Sequence, residues 1–420
     1  MRNLVPSTVP GAMEARRSRL PAAILVAVVA AGAATLLLKP RHGLIEPASV
    51  KVEDYFSPAE VKRAVDFRDP QRLIGLAQLA LTGGTLILLA LRPPHVLERR
   101  PLIGGAAVGA GISLALVAVH LPLAAVSHDR AVDVGLSTQD WGEWIGDVAK
   151  SAGLEAVFAA FGGLLALALV RRFRRHWWVP GSVAVVAVGV ITVWLFPVVI
   201  DPLFNKFEPL PQGKLRSQVL ELADRADVDV GQVYRVDASR RTTGVNAYVN
   251  GLGHSKRVVL YDNLIEGLPR DQVLQVVAHE LGHQKHDDLL RGLAWLAIVA
   301  PAGTFLAQSL AERFGRRQGL GDPSVKPGPA ALPALVLAVA LVSFGLNVAG
   351  NQLSRPVEAS ADSFSLDLTR NPAAHIALER ELTVRNVSDP DPPGITQWLF
   401  GTHPTTLERI GAGEAWAAEH

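Results

Sequence analysis

In the stretch "QVVAHELGHQKHDD", residues 275–288, His279 and His283 stand four positions apart with Glu280 between them. On a helix, positions i and i+4 share a face, so both imidazoles can offer a ring nitrogen to one Zn²⁺ at about 2.0–2.1 Å. Glu280 lies one step round and need not ligate. It can hold a zinc-bound water and take its proton, while the metal lowers that water's pKa towards roughly 7 and polarises a carbonyl. That is the chemistry of peptide-bond hydrolysis. Taken alone, the short pattern also fits a surface helix with two histidines and a salt-bridging glutamate.

A catalytic zinc needs a third protein ligand and an open fourth position. The chain has no cysteine, so the ligand must be His or a carboxylate. The segment "NQLSRPVEASADSFSLDL", residues 351–368, offers Glu358 and Asp362, again i and i+4. Glu358 is the natural ligand, and Asp362 could orient a histidine through its other ring nitrogen. Ala359, Ser360 and Ala361 are small enough to let this helix lie close against the zinc helix. Arg355, one turn before Glu358, is as fit to partner Asp362 as to act in catalysis. His286 is nearly on the ligand face but reads as a solvent-facing or supporting group.

The elements that must carry these residues are largely apolar. Of 420 residues, 49% are hydrophobic and only 19% charged, against about 25% charged in soluble domains. The deficit is concentrated in blocks. A membrane-spanning helix needs roughly 20 mostly apolar residues, and seven segments qualify: 21–38, 73–91, 102–126, 152–170, 181–200, 291–310 and 330–350. Apart from Arg291 at the first position of span six, Glu155 and His120 are the ionisable side chains within them; Glu155 is expected to face the bundle interior or water, and His120 to be packed. A net charge of +2 with no basic stripe argues against a nucleic-acid partner.

Four parts follow: spans one to five with their loops (1–200), a polar stretch (201–290), spans six and seven (291–350), and a second polar stretch (351–420). Within 201–290, "QVYRVDA" and "KRVVLYD" read as strands and "NAYVN" as an edge strand. Pro269 and Asp271 open the helix that carries His279. The last stretch reads as helical, broken at "SDPDPPG". Arg16, Arg17 and Arg19 precede span one, and arginines crowd the loops after spans two, four and six, whereas the loop after span three is acidic. By the positive-inside rule this places 201–290 and the C-terminal stretch outside the cytoplasm of a multi-pass cell-membrane protein.

Several motifs in one order then carry a resemblance: "PLFNKFEPLP" (202–211), "NAYVNG" (246–251), "RVVLYDNLIE" (257–266), "HELGHQK" (279–285), "SRPVEASAD" (354–362) and "THPTTLERI" (402–410). Together they resemble the type-1 CAAX prenyl protease family of integral-membrane zinc endopeptidases. The resemblance implies a mainly α, polytopic protein in which about seven transmembrane helices form a chamber. A gluzincin-like zinc metalloprotease domain with a small β-sheet would cap it. It implies one zinc per chain on His279, His283 and Glu358, with Glu280 as general base. It also implies that Asn246, with Ala247 and Tyr248, binds substrate backbone, and that His403 and Arg409 lie beside the metal to hold substrate or oxyanion. The expected partners are the lipid bilayer and a peptide or membrane-associated protein substrate. The rival reading is a non-hydrolytic membrane protein with a structural zinc, or a lipid or peptide carrier. A structural site would be closed by a fourth ligand, for which His286 and His403 are candidates, and would not need Glu280.

Overall fold

The structure, a computed structural model, describes residues 19–250 and 256–420. Arg16, Arg17 and Gly251, on which parts of the sequence reading fall, lie outside the described residues. Seven helices are long and apolar enough to cross a membrane. They are α1 (Arg19–Leu38), α2 (Pro58–Leu91), α3 (Pro101–Asp133), α4 (Trp141–Arg172), α5 (Trp178–Phe204, through a π-helical turn at Phe196–Ile200), α9 (Asp288–Phe314) and α10 (Leu332–Thr369). The polar part adds α6 (Lys214–Arg225), α7 (Asp262–Gly267), α8 (Arg270–Lys285), α11 (Pro372–Arg385), α12 (Gly394–Phe400) and α13 (Thr406–Glu419).

Several helices outrun their apolar segments. Hydropathy places span two at 73–91, but α2 starts at Pro58, where Ser57 and Glu60 form a reciprocal capping box. Its charged first turns reach the C-terminal stretch: Arg68 donates to Val387 O and Asn386 O, and Arg72 pairs with Asp389 at 2.6 Å. Likewise α10 continues without a break through 350, so the seventh span and the segment bearing Glu358 and Asp362 are one helix. A hydropathy window ends where water begins, whereas a helix ends only where its backbone hydrogen bonds do.

The sheet is four-stranded, in the order β1 (Phe207–Pro209), β2 (Gln232–Val236), β4 (Arg257–Tyr261), β3 (Ala247–Asn250). β2 and β4 run parallel and the two outer pairs antiparallel. β3 is an edge strand, as the sequence implies; β1, three residues ending in proline, is too short to read from periodicity. α6, α7, α8 and α11 pack with the sheet around Val219, Val233, Val258, Leu260, Leu264, Val277 and Leu281.

Buried apolar residues of the bundle gather in other clusters, the largest around Val108, Leu167, Leu320, Leu332 and Ala338. Here α3 and α4 approach at Gly109 and Gly163, where an added Cβ would run into the carbonyls of Ala159 and Gly105. Small residues at such a contact let membrane helices close. The basic loops meet at this end: Arg171 Nη1 donates to Pro327 O and Arg174 Nη1 to Pro323 O. The opposite end joins the polar part, since the α3–α4 loop pairs Ser137 with Thr242. The α1–α2 loop docks there as well, through Ile45 N on Ser363 Oγ and Ala48 N on Gly411 O. His120 is packed as expected, its Nε2 lying 3.0 Å from Thr82 Oγ1 and 3.1 Å from Gln78 O on α2. Glu155 is exposed on α4.

Candidate metal centre

α8 carries His279, Glu280 and His283, and α10 packs across it with Glu358 and Asp362. The close approach depends on small residues: a Cβ on Gly282 would press on Ala361. One ligating atom each from His279, His283 and Glu358 lies within 4.8 Å of the others. Glu358 Oε2 stands 3.2 Å from His279 Nε2, 3.5 Å from His283 Nε2 and 3.3 Å from His403 Nε2. That oxygen is buried, yet it accepts no hydrogen bond of good geometry. A buried carboxylate oxygen ringed by imidazole nitrogens is the donor set of a cation site. Two histidines and one glutamate fit zinc.

The outer nitrogens of both rings are held by carboxylates. His279 Nδ1 is 2.8 Å from Asp362 Oδ1, and His283 Nδ1 is 2.9 Å from Asp288 Oδ2. This leaves both Nε2 atoms facing the site. Burial opposes a charge on either ring, but these carboxylates outweigh it, raising His279 to about 10 and His283 to about 9. A metal must displace those protons to bind. Glu280 is pushed up by burial, which the nearby histidines and the backbone of Val249 partly oppose. A raised carboxyl is suited to moving a proton near neutral pH.

Arg409 anchors the far side. Its Nε and Nη2 donate to Asp362 at 2.8 and 2.6 Å, and its Nη1 lies 2.8 Å from Glu379. Burial pushes Glu379 up to about 7, Arg409 only partly countering it. Arg409 thus touches the carboxylate that orients His279, which places it behind the ligands as well as on the cavity wall.

A cavity of about 490 Å³ opens beside these groups, lined among others by Asn246, Val276, Glu280, Leu378, His403 and Arg409. Its wall includes Asn246 at the head of β3. Because Tyr261 N donates to Asn246 O, antiparallel alternation turns the backbone groups of Ala247 and Val249 towards the free edge. Val249 there meets α8: its carbonyl accepts from Gln284 Nε2 at 3.3 Å, and its backbone hydrogen-bonds to Glu280. Ala247 N is met by Asn246 Oδ1 at 2.9 Å. The Tyr248 side chain points elsewhere, its hydroxyl 3.3 Å from Asp201. His403 is half-exposed, with Nδ1 2.9 Å from Thr402 Oγ1.

One expectation needs correction. Arg355 does not partner Asp362; it donates to Gln397 O and Gly401 O and so fixes the loop that presents His403. Arg355 and Asp362 sit about two helical turns apart, roughly 10 Å along the axis, and Arg409 already occupies the carboxylate. His286 is not aimed at the metal site, because α8 ends there; its Nδ1 is 3.2 Å from Ser360 Oγ and its ring meets Phe364 edge-on.

The sequence reading misses Asp288 and Glu379. Asp287 takes a left-handed conformation (φ 52°) that separates α8 from α9 and brings Asp288 back to His283; Asp tolerates this better than most residues. The signal available in the sequence is the "HDD" run, residues 286–288, directly after the ligand pattern. Replacing Asp288 with Asn should weaken zinc affinity about 10–100-fold while leaving the fold intact. Competitive titration with a zinc-chelating dye measures this, and an unchanged affinity would remove Asp288 from the site.

Residues 209–417 match peptidase family M48, and residues 110–206 match the CAAX prenyl protease N-terminal family of five membrane helices. The uncharacterized metalloprotease YhfN of Bacillus subtilis is 33% identical over 304 residues, 72% of this chain and 71% of its own. The chain belongs to peptidase family M48. It is a multi-pass membrane metalloprotease. Similarity to CAAX prenyl protease 1 of Saccharomyces cerevisiae is 32% identity over 46% of this chain and 42% of that protein. For the Homo sapiens homolog it is 28% over 54% and 55%. The chain therefore spans about half the length of these relatives. The crystal structure of S. mikatae Ste24p superposes over 97% of this chain and 100% of that one, with TM-score 0.68 and 21% identity, so the two share a fold. The match at 110–206 carries the M48 resemblance upstream of residue 200, where the sequence offered hydropathy alone.

Proposed function

We propose that this M48 metalloprotease is a zinc-dependent endopeptidase holding one Zn²⁺ per chain on His279, His283 and Glu358, with Glu280 as the base. The observation that carries the reading is the buried Glu358 oxygen ringed by imidazole nitrogens beside a cavity whose wall includes Asn246 at the head of β3. Zinc, when bound, supplies Lewis acidity to the scissile carbonyl and makes hydroxide available near neutral pH. Glu280 takes the proton of the attacking water and returns it to the leaving amine. His403 donates to the carbonyl oxygen as it becomes negative. An extended peptide adds to the edge of β3, where main-chain hydrogen bonds hold it with little side-chain preference; to do so it displaces Gln284 and Glu280 from Val249. Asn246, exposed at the head of the strand, contacts the peptide beside it.

The substrates in this reading are unfolded, membrane-associated or lipid-linked peptides; the relatives named CAAX prenyl proteases support the last class. His403 stays outside the trio of mutually close ligating atoms, which favours an open fourth position over a closed structural zinc. The test uses detergent-purified protein, with zinc measured by elemental analysis and cleavage of unfolded casein followed with and without chelator. One zinc per chain and chelator-sensitive cleavage are expected; chelator-insensitive cleavage, or protein that folds without zinc-binding capacity, would overturn the reading.

We also infer that the catalytic part faces away from the cytoplasm, since it lies at the end opposite the arginine-rich loops. The absence of cysteine makes the test direct. In intact cells an impermeant maleimide should label Asn371→Cys and spare Ser324→Cys. The reverse pattern would invert the topology.

A further inference from the structure

At the basic end of the bundle, a groove of about 470 Å³ opens between the start of α3 and the end of α4. Arg100, Arg171, Arg172 and Lys326 line it, over a floor that includes Leu102 and Ile103. Among the described residues none of the four cations makes an ion pair; Glu98, the acidic residue nearest Arg100 in sequence, is paired with His95 at 2.6 Å. The groove is held open by fixed parts: Arg171 Nη1 is tied to Pro327 O at 2.6 Å, and α3 and α4 are locked together at Gly105, Gly109 and Gly163. Leu102 and Ile103 are 40% and 53% exposed at the mouth of two spans. Cations with no ion-pair partner among the described residues, gathered above exposed aliphatic side chains where two membrane-spanning helices end, match one chemistry. It is a phosphodiester attached to an acyl chain.

We propose that this groove binds an anionic phospholipid, its phosphate held by Arg100, Arg171, Arg172 and Lys326 and an acyl chain lying along Leu102 and Ile103. Arginine suits the phosphate because its fork donates two parallel hydrogen bonds. The site lies on the face opposite the metal centre and is independent of catalysis. On the topology inferred above it meets the cytoplasmic leaflet, where basic pockets between spans recognise anionic headgroups. General attraction of basic loops to an anionic surface is the competing explanation, and Arg174 and Arg175 provide the control. They lie just beyond α4, at the same end of the bundle, but do not line the groove, and Arg174 instead holds Pro323 O.

The experiment follows the apparent melting midpoint of the detergent-purified full chain during titration with phosphatidylglycerol, with phosphatidylcholine, and with inorganic phosphate. Phosphatidylglycerol should raise the midpoint well beyond phosphatidylcholine, and phosphate should leave it unmoved. The double variant Arg100→Gln/Arg172→Gln should weaken the apparent affinity for phosphatidylglycerol about tenfold or more, as removal of two charges near an anionic headgroup implies. Arg174→Gln/Arg175→Gln should keep it. Should the first double variant fail to fold, Lys326→Gln takes its place, with native mass spectrometry counting one retained phosphatidylglycerol per wild-type chain. Three results overturn the proposal: no preference over phosphatidylcholine, an equal loss in both double variants, or an equal rise with inorganic phosphate.

Discussion

Glu280→Gln should leave one zinc per chain and a melting midpoint no lower than wild type, while kcat for casein or a reporter peptide falls by about 10²–10⁴-fold, the contribution typical of a positioned general base. The substitution preserves shape and an acceptor oxygen, so the hydrogen bond from the backbone of Val249 can persist. What disappears is the ability to take a proton. Burial already pushes Glu280 up, so the neutral amide removes a desolvation cost, and stability should hold or rise slightly. The decisive comparison is zinc content against rate. Loss of both would make Glu280 a ligand or a structural residue, and retention of activity would dismiss it as the base.

Arg409→Met should be the most damaging substitution for stability outside the metal ligands. Arg409 binds Asp362 and Glu379, both side chains only 3% exposed. Removing it strands two buried carboxylates, and breaking one partner of a buried pair costs about 3–5 kcal/mol. Protonation of Glu379, already raised to about 7, relieves part of that. Asp362, freed from its anchor, should also hold His279 less firmly and lower zinc affinity about 10–100-fold. Thermal unfolding in detergent and the chelator titration read the two effects separately. Arg409→Lys should recover charge but not the fork on Asp362, giving an intermediate loss. A methionine variant as stable as wild type would mean that this triad does not anchor the site.

The local pattern of the chain was sufficient for the seven helices and for the face shared by His279 and His283. Hydropathy and the i, i+4 rule act over a few turns and need no partner. Glu358 and Asp362 were legible for the same reason, as a second i, i+4 pair flanked by small residues. By itself the sequence therefore determined a membrane protein with two metal-suited helical faces, and the string of motifs pointed to its family.

Tertiary structure decided which groups meet. On paper Arg355 is the partner offered to Asp362 and Arg409 a group for substrate or oxyanion, and only the docking of α13 against α10 and α11 assigns the carboxylate to Arg409 and turns Arg355 towards the loop of His403. Asp288 reaches His283 because one residue, Asp287, turns left-handed, and no periodicity encodes that. Glu379 looks like any carboxylate of a polar helix until the fold buries it opposite Arg409. Helix faces are set by neighbours along the chain, whereas ion pairs and the ring of nitrogens around Glu358 depend on segments distant in sequence, and packing alone brings those together.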